Sequence, residues 1–206
     1  MFNVIEQSFI NEHMKTFESN NIRSKHLSVL AVTNCDINNG PGFRMTIWVS
    51  GCTHNCYACQ NKHTHAYGKG HSLYDTVSER GALIDEILYT LELYGEVVTG
   101  VTISGGDPLD QSDTALSELK VLVETIKIEF PDKTIWLYTG CTWEDLSKEQ
   151  MSVARLCDVV VDGKFDFYKK DVTLPFRGSS NQRLIDVKKT LKQLKPITLD
   201  DEKFKS

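Results

Sequence analysis

Three closely spaced cysteines are the feature that most restricts how this chain folds. Cys52, Cys56 and Cys59 follow a C-x3-C-x2-C spacing. Thiols this close in sequence reach a common centre only if the backbone loops around it, as it does around a metal. Soft thiolates select zinc, copper(I) or an iron–sulfur cluster. A 4Fe–4S cluster usually takes four thiolates, so three would leave one iron open to a ligand from outside the protein.

A structural zinc site is the alternative interpretation of the same loop. Zinc sites usually begin with C-x2-4-C and find their other ligands further along the chain. His54, His63 and His65 are close enough in sequence to complete a zinc knuckle. Histidines in such a place more often lie at a solvated rim than on a metal, and His54 is also a candidate for supporting the loop from outside the ligand set.

Length and charge exclude several classes of protein. The chain has 206 residues and a net charge of −5, which predicts one domain with a substantial core and argues against nonspecific binding to nucleic acid. No apolar run approaches the roughly 18 residues of a membrane span, and the first residues do not resemble a signal peptide. We therefore expect a cytoplasmic protein with reduced cysteines and with neither a nucleic-acid nor a membrane partner.

Strand-like runs alternate with helical patterns along most of the chain. Strand, helix, strand, helix in series indicates an α/β fold whose parallel sheet has right-handed crossovers. The units are too few for a closed eight-stranded barrel, so we expect a single domain over residues 27–206 with an open partial (β/α) barrel. The predicted strands cover 27–33, 45–50, 97–103, 134–139, 158–161 and 183–187. The predicted helices cover 84–94 and 116–126. Thr142 would cap a third helix, and Asp145, three residues later, would complete a weak capping box with it.

Residues 1–26 are weakly patterned. Ile5, Phe9 and Ile10 would form one face of a short helix. We interpret this segment as an N-terminal extension whose role the sequence does not reveal.

Two motifs follow predicted strands directly. The cysteine loop follows the strand at 45–50, and Ser104-Gly-Gly-Asp107 follows the strand at 97–103. Ligands in α/β folds bind at the carboxyl ends of the strands. Gly105 and Gly106 remove side chains where a ligand would approach the backbone. A Gly-Gly-Asp-Pro sequence alone is more often a turn, but its place after a strand favours a ligand site.

The cysteine loop resembles that of the radical S-adenosylmethionine (SAM) enzymes, and further motifs indicate one branch of them. Together the motifs resemble the activating proteins of the anaerobic ribonucleoside-triphosphate reductase, over roughly residues 27–187. The motifs are Asn39–Arg44, Gly51–Asn61, Ser104–Leu109, Trp136–Gly140, Val161–Lys164 and Arg177–Arg183.

The resemblance implies an activity, cofactors and partners. A [4Fe-4S] cluster on Cys52, Cys56 and Cys59 would bind SAM at its open iron and, once reduced, cleave it to methionine and a 5′-deoxyadenosyl radical. That radical would install a glycyl radical on the glycine-bearing C-terminal region of the large subunit of the anaerobic reductase. Such a glycyl-radical-enzyme activase also needs an electron donor, such as a flavodoxin or a ferredoxin.

The resemblance also implies roles for individual residues. Backbone carbonyls of the 104–107 loop would accept hydrogen bonds from the SAM ammonium group. Radical SAM enzymes usually have glutamate where this chain has Asp107. The aspartate keeps the negative charge, but its side chain is one methylene shorter and reaches less far. Lys164 would pair with the SAM carboxylate. The implied cofactor-binding residues are Tyr57, Ala58, Ser104, Gly105, Gly106, Asp107, Asp162 and Lys164.

Other residues and functions stay open at this point. Arg177 and Asn181–Arg183 would contact either the adenosyl group or the partner, and Cys35, Cys141 and Cys157 lack a ligand spacing. The alternative functions are a small radical SAM enzyme that acts on a metabolite, such as a deazapurine synthase, and a non-enzymatic zinc or electron-transfer protein.

Overall fold

The computed structural model describes residues 23–204. Most of the predicted N-terminal extension, including Ile5, Phe9 and Ile10, lies outside the described residues. The described end of this segment contacts the domain: the Leu27 N–H and His26 Nδ1 lie 2.8 and 2.6 Å from the carboxylate of Glu118.

Nine strands and four α-helices make up the described part of the chain. The strands are β1 (Ser28–Asp36), β2 (Phe43–Val49), β3 (His71–Ser72), β4 (Thr76–Ser78), β5 (Gly81–Ala82), β6 (Val98–Gly105), β7 (Thr134–Tyr138), β8 (Val159–Asp162) and β9 (Arg183–Asp186). The α-helices are α1 (Leu83–Leu93), α2 (Asp113–Glu129), α3 (Lys148–Ala154) and α4 (Val187–Gln193).

A seven-stranded sheet in the order β3-β1-β2-β6-β7-β8-β9 forms the centre of the fold. Strands β2, β6, β7 and β8 are parallel, as the alternating pattern predicted, because helices supply the crossovers between β6 and β8. The fold is therefore mixed α/β with a mostly parallel sheet.

The edges of this sheet differ from the all-parallel prediction. Three pairs at the edges are antiparallel: β1 with β2, β1 with β3, and β8 with β9. The six residues that join β1 to β2 allow only a hairpin, since a parallel pair needs a crossover of about a dozen residues or more. The segment between β8 and β9 holds a single 3-10 turn, Phe167–Lys169, and no α-helix.

The third helix begins later than the sequence predicted. Thr142 precedes a 3-10 turn, Trp143–Asp145, and α3 starts after Ser147. Ser147 and Gln150 form the capping box: the Gln150 N–H donates to Ser147 Oγ at 3.2 Å, and the Ser147 N–H donates to Gln150 Oε1 at 2.8 Å. The prediction of a helix capped by Thr142 was wrong because Trp143 turns inward, where it is only 7% exposed.

A buried arginine joins three of the parallel strands at the end opposite the cysteines. Arg44 is fully buried, and its guanidinium donates to the Val101 carbonyl at 2.7 Å and the Thr134 carbonyl at 2.9 Å. Burial lowers the pKa of Arg44 to about 10, so the group stays charged at neutral pH. Of the Asn39–Arg44 motif, Arg44 is thus part of the core, whereas Phe43 is 48% exposed and Asn39 lines the cleft described below.

Within residues 23–204, no helix has both the length and the apolar character needed to cross a membrane.

Candidate functional site

The three cysteines lie on a loop that closes on itself after β2. The Gly51 N–H donates to the Thr64 carbonyl at 2.8 Å, and the Cys52 N–H donates to the His65 carbonyl at 3.0 Å. Between these contacts the backbone bends sharply, because Asn55 and Ala58 have φ values of 47° and 55°. This segment, residues 51–65, is called the cluster loop below.

The chemistry of these thiols fits an iron–sulfur cluster. All three cysteines are free and partly buried. Burial, together with the nearby Asp107 carboxylate, raises the pKa of Cys52 to about 12, and burial also raises the pKa of Cys56. Metal binding releases the thiol protons and offsets the cost of burying three thiolates. His65 Nε2 lies 3.3 Å from Cys59 Sγ, where an N–H can stabilise a thiolate.

The loop does not form a compact single-ion site. Among the described residues, the histidine, cysteine and acidic groups with ligand atoms all within 4.8 Å of one another are His54, Asp107 and Cys141. The three loop thiols are more widely spread than that. Tetrahedral zinc, with Zn–S bonds of about 2.3 Å, would hold its thiolates closer together. This spread favours a multi-iron cluster, which separates its thiolates.

The predicted Ser104–Asp107 loop lies directly against the start of the cluster loop. The Gly106 N–H donates to the Val49 carbonyl at 2.9 Å, and the Asp107 N–H donates to the Gly51 carbonyl at 2.8 Å. The structure gives both glycines a packing role. A Cβ at Gly105 would lie 2.4 Å from the Val49 carbonyl oxygen, and one at Gly106 would lie 2.3 Å from that of Gly51.

Asp107, at the end of this loop, is buried, and its carboxylate accepts hydrogen bonds from several parts of the chain. Its side chain is 1% exposed. Oδ1 accepts from the N–H groups of Leu109 and Asp110, at 2.8 and 3.3 Å. Oδ2 accepts from the Gly140 N–H at 2.8 Å and from the Thr139 hydroxyl at 3.0 Å. His54 Nε2 lies 2.6 Å from the same oxygen. Asp107 therefore joins the cluster loop to the ends of β6 and β7.

His54 carries the charge opposite Asp107. Hydrogen bonding to Asp107, with a smaller contribution from the Cys141 thiol at 3.9 Å, outweighs burial and raises the pKa of His54 to about 10. The imidazole is therefore protonated at neutral pH. The sequence left His54 open as a zinc ligand, a residue of the solvated rim or a support for the loop from outside the ligand set, and its contacts favour the last of these.

A second acidic residue supports the cluster loop, and the motifs did not identify it. Asp110 Oδ2 accepts from both the N–H and the hydroxyl of Thr53 at 2.6 Å, while Oδ1 pairs with Arg23. Burial alone would raise the pKa of Asp110, but the Thr53 hydrogen bonds and the Arg23 charge outweigh burial and hold that pKa below its usual range. The Tyr67 hydroxyl donates to the Asp110 carbonyl at 2.7 Å. The only sequence signal was its place just after the Gly-Gly-Asp-Pro motif.

A cleft of about 760 Å³ opens beside the cluster loop, over the carboxyl ends of β2, β6 and β7. Pockets for small ligands and cofactors have volumes of about 300–1,000 Å³. The cleft reaches Cys59 and Ser104, so it contacts both predicted loops. Its aromatic walls are Trp48, Tyr138, Phe165 and Phe176.

The predicted Asp162–Lys164 pair is divided between two environments. Asp162 is buried; it accepts from the Trp143 N–H at 2.9 Å and pairs with Arg183 at 2.5 Å. Lys164 is exposed and lines a separate cavity of about 360 Å³ together with Tyr57. Tyr57 is 71% exposed, and its ring meets that of Phe167 edge-on at 5.2 Å.

The late Arg177–Arg183 motif makes its described contacts within the chain. Arg177 forms two hydrogen bonds to the Asp201 carboxylate, at 2.6 and 2.5 Å. Gln182 accepts from the Gly178 N–H at 2.9 Å and donates to the Gly163 carbonyl at 3.1 Å. The motif therefore holds the loop between β8 and β9, which forms one wall of the cleft.

Comparison with known proteins agrees with this geometry. Residues 38–185 match the family described as the 4Fe-4S single cluster domain. The anaerobic ribonucleoside-triphosphate reductase-activating protein of Escherichia coli (strain K12) is 41% identical over 71% of this chain and 90% of its own length. The protein of the same name from Vibrio cholerae is 40% identical, again over 71% of this chain and 90% of its own length. That of Enterobacteria phage T4 is 36% identical over 73% of this chain and 88% of its own.

Among solved structures, QueE from Escherichia coli matches 68% of this chain and 70% of its own, with a TM-score of 0.36 and 13% identity. That similarity is too low to carry an argument. The family match over residues 38–185, in contrast, covers the cluster loop, the Ser104–Asp107 loop and most of the sheet. The chain belongs to the family of anaerobic ribonucleoside-triphosphate reductase-activating proteins, within the 4Fe-4S single cluster domain family.

Proposed function

We propose that this protein uses a [4Fe-4S] cluster and SAM to install a glycyl radical on anaerobic ribonucleoside-triphosphate reductase. Cys52, Cys56 and Cys59 hold the cluster, and a one-electron carrier such as a flavodoxin or a ferredoxin reduces it. The observation that carries the proposal is the contact between the cluster loop and the Ser104–Asp107 loop beside an open cleft. In this contact the Asp107 N–H donates to the Gly51 carbonyl at 2.8 Å. The shared family supports the same activity.

The cofactors supply the radical chemistry, and the residues of the chain hold the cofactors in position. When bound on Cys52, Cys56 and Cys59, the cluster would supply the one electron that splits SAM into methionine and a 5′-deoxyadenosyl radical. This radical would become 5′-deoxyadenosine by taking a hydrogen atom from a glycine Cα. The backbone carbonyls of Ser104, Gly105 and Gly106 accept from the SAM ammonium group. Tyr57 and Ala58 shape the loop between two of the ligands.

The open cleft suits a macromolecular hydrogen donor. We propose that the sheet curves as a partial barrel around this cleft, and that a loop of the reductase closes it and excludes water. A glycine fits this role, because the flanking nitrogen and carbonyl stabilise its radical and no side chain blocks its Cα. Trp48 and Phe176 line the cleft and offer apolar surface to the entering loop.

Mixing the two proteins tests this function. We expect a glycyl-radical doublet in electron paramagnetic resonance when the anaerobic protein, SAM, a reductant and the reductase are combined. The doublet should vanish when the partner's radical-bearing glycine is replaced by alanine, since alanine carries a methyl group at the reacting carbon. SAM cleavage without any radical on the reductase would reject this partner and leave the cofactor assignment standing.

Lys164 provides a test of the SAM site. We expect Lys164→Ala to weaken SAM binding about tenfold, the loss of one exposed charge-assisted contact, and to leave the iron content unchanged. Titration of the reduced cluster with SAM, followed by electron paramagnetic resonance, measures this affinity. Lys192→Ala, on the exposed face of α4, is the matched control. Equal affinities in both variants would remove Lys164 from the site.

A further inference from the structure

We propose that His54 and Asp107 form a clamp that positions the cluster loop against the Ser104–Asp107 loop, and that Asp107 acts through this clamp without touching SAM. The inference rests on the proposed function and makes both side chains positioning residues of that site. It also gives a reason for the aspartate at a place where radical SAM enzymes usually have glutamate.

The first step is that the Asp107 carboxylate has no free acceptor position. An ionised carboxylate offers about four lone-pair sites on its two oxygens. Five donors already contact these oxygens at 2.6–3.3 Å, and the side chain is 1% exposed. An additional bond to the SAM ammonium group would have to break one of these contacts. The donors are His54, Leu109, Asp110, Thr139 and Gly140.

The second step is that three positions fit one another in size. A Cβ at Gly140 would lie 2.4 Å from Cδ2 of the His54 ring, so glycine makes room for the imidazole. A glutamate at position 107 would extend the carboxylate by about 1.5 Å, into the space that His54 and the Gly140 N–H occupy. The short aspartate, the glycine and the histidine therefore form one unit.

The third step is what the unit holds in place. His54 lies between the ligands Cys52 and Cys56 in sequence, so its ring fixes the outer part of the cluster loop. The Asp107 N–H fixes the inner part through the Gly51 carbonyl at 2.8 Å. These two contacts set the distance from the thiols to the carbonyls of the Ser104–Asp107 loop. The clamp therefore aligns the open iron with the acceptors for the SAM ammonium group.

The test compares variants of the cluster-loaded protein. We expect His54→Ala and Asp107→Asn to keep nearly full iron, because all three thiols remain, and to weaken SAM binding by about 10–100-fold, as for other groups that orient metal ligands. His54→Gln keeps a donor near the Nε2 position and should recover most of the affinity. SAM affinity is measured on the reduced cluster by electron paramagnetic resonance, and thermal unfolding of each variant is measured in parallel.

A double variant and a control complete the design. His54→Ala combined with Asp107→Asn should cost little more than either change alone, since the two residues act as a unit. Cys141→Ala removes the third member of the His54 group and should leave SAM affinity unchanged. If Cys141→Ala were as harmful as His54→Ala, the thiol would belong to the unit, as in a three-ligand metal site, and the two-residue clamp would be rejected.

The outcomes separate the clamp from the proposed function. Lower unfolding temperatures with unchanged SAM affinity would mean a purely structural pair and would overturn the inference. If the wild-type protein bound no SAM, the proposed function would fail first. The clamp would then be tested by hydrogen exchange of the Gly51 and Cys52 amides. Faster exchange in His54→Ala than in Cys141→Ala would support it, and equal rates would reject it.

Discussion

Replacement of Cys52, Cys56 or Cys59 by alanine is expected to lower the iron content from about four atoms per chain to near zero and to abolish SAM cleavage. Each thiolate is one of only three that the cluster loop supplies, and a cluster with two protein ligands would be left open to solvent. Iron and sulfide analysis after anaerobic reconstitution, together with assays of 5′-deoxyadenosine formation, measures both losses.

Cys35→Ala is the matched control for these variants. Cys35 is exposed and lies on β1, outside the cluster loop, so its removal should leave iron and SAM cleavage unchanged. A Cys56→Ala protein that still held four irons and cleaved SAM would overturn the ligand assignment.

Gly106→Ala is expected to impair both cofactors together. The added Cβ would lie 2.3 Å from the Gly51 carbonyl oxygen and 2.9 Å from the Gly51 nitrogen. Backbone must then move, at a cost of about 1–3 kcal/mol in the free energy of unfolding. Because Gly51 directly precedes Cys52, we expect lower iron content as well as weaker SAM binding. Iron analysis, SAM titration and denaturant unfolding measure the three effects.

Gly68→Asn is the control for adding a side chain to a glycine where there is space for it. Gly68 has a φ of 68°, which asparagine tolerates, and the nearest atom to an added Cβ, Ser24 Oγ, is 3.8 Å away. Iron content and SAM affinity should stay near the wild-type values. If Gly106→Ala kept full iron and lost only SAM, the glycine would serve ligand access and not loop packing.

The sequence was most informative where local patterns determine structure. Strand-like runs rich in β-branched and aromatic residues identified β2, β6, β7 and β8, because such residues fit a buried sheet. The cysteine spacing located the cluster loop, and a glycine-rich motif after β6 located the loop that faces it. These features depend on residues close together in the chain, which is why they can be predicted without a structure.

Contacts between distant residues set the rest of the site. The sequence suggested that Gly105 and Gly106 leave room for a ligand, yet the backbone of Val49 and Gly51 fills the space next to them. Asp107 gains its donors from Thr139 and Gly140, 32 and 33 residues away. Asp162 is buried against Arg183, although the resemblance implied a role for it in cofactor binding together with Lys164. Such pairings arise from tertiary packing, and no spacing rule predicts them.

The Arg23–Asp110 pair has a consequence for where this domain begins. The family match begins at residue 38, so the residues upstream of β1 would seem dispensable. Yet Arg23 neutralises a carboxylate that is 4% exposed and that holds Thr53, the residue next to Cys52. Arg23 is itself half-exposed, but its removal would leave the buried Asp110 carboxylate without its cationic partner. We therefore expect the cluster loop to depend on residues upstream of the family match, so that a protein trimmed to that match would hold its iron less firmly.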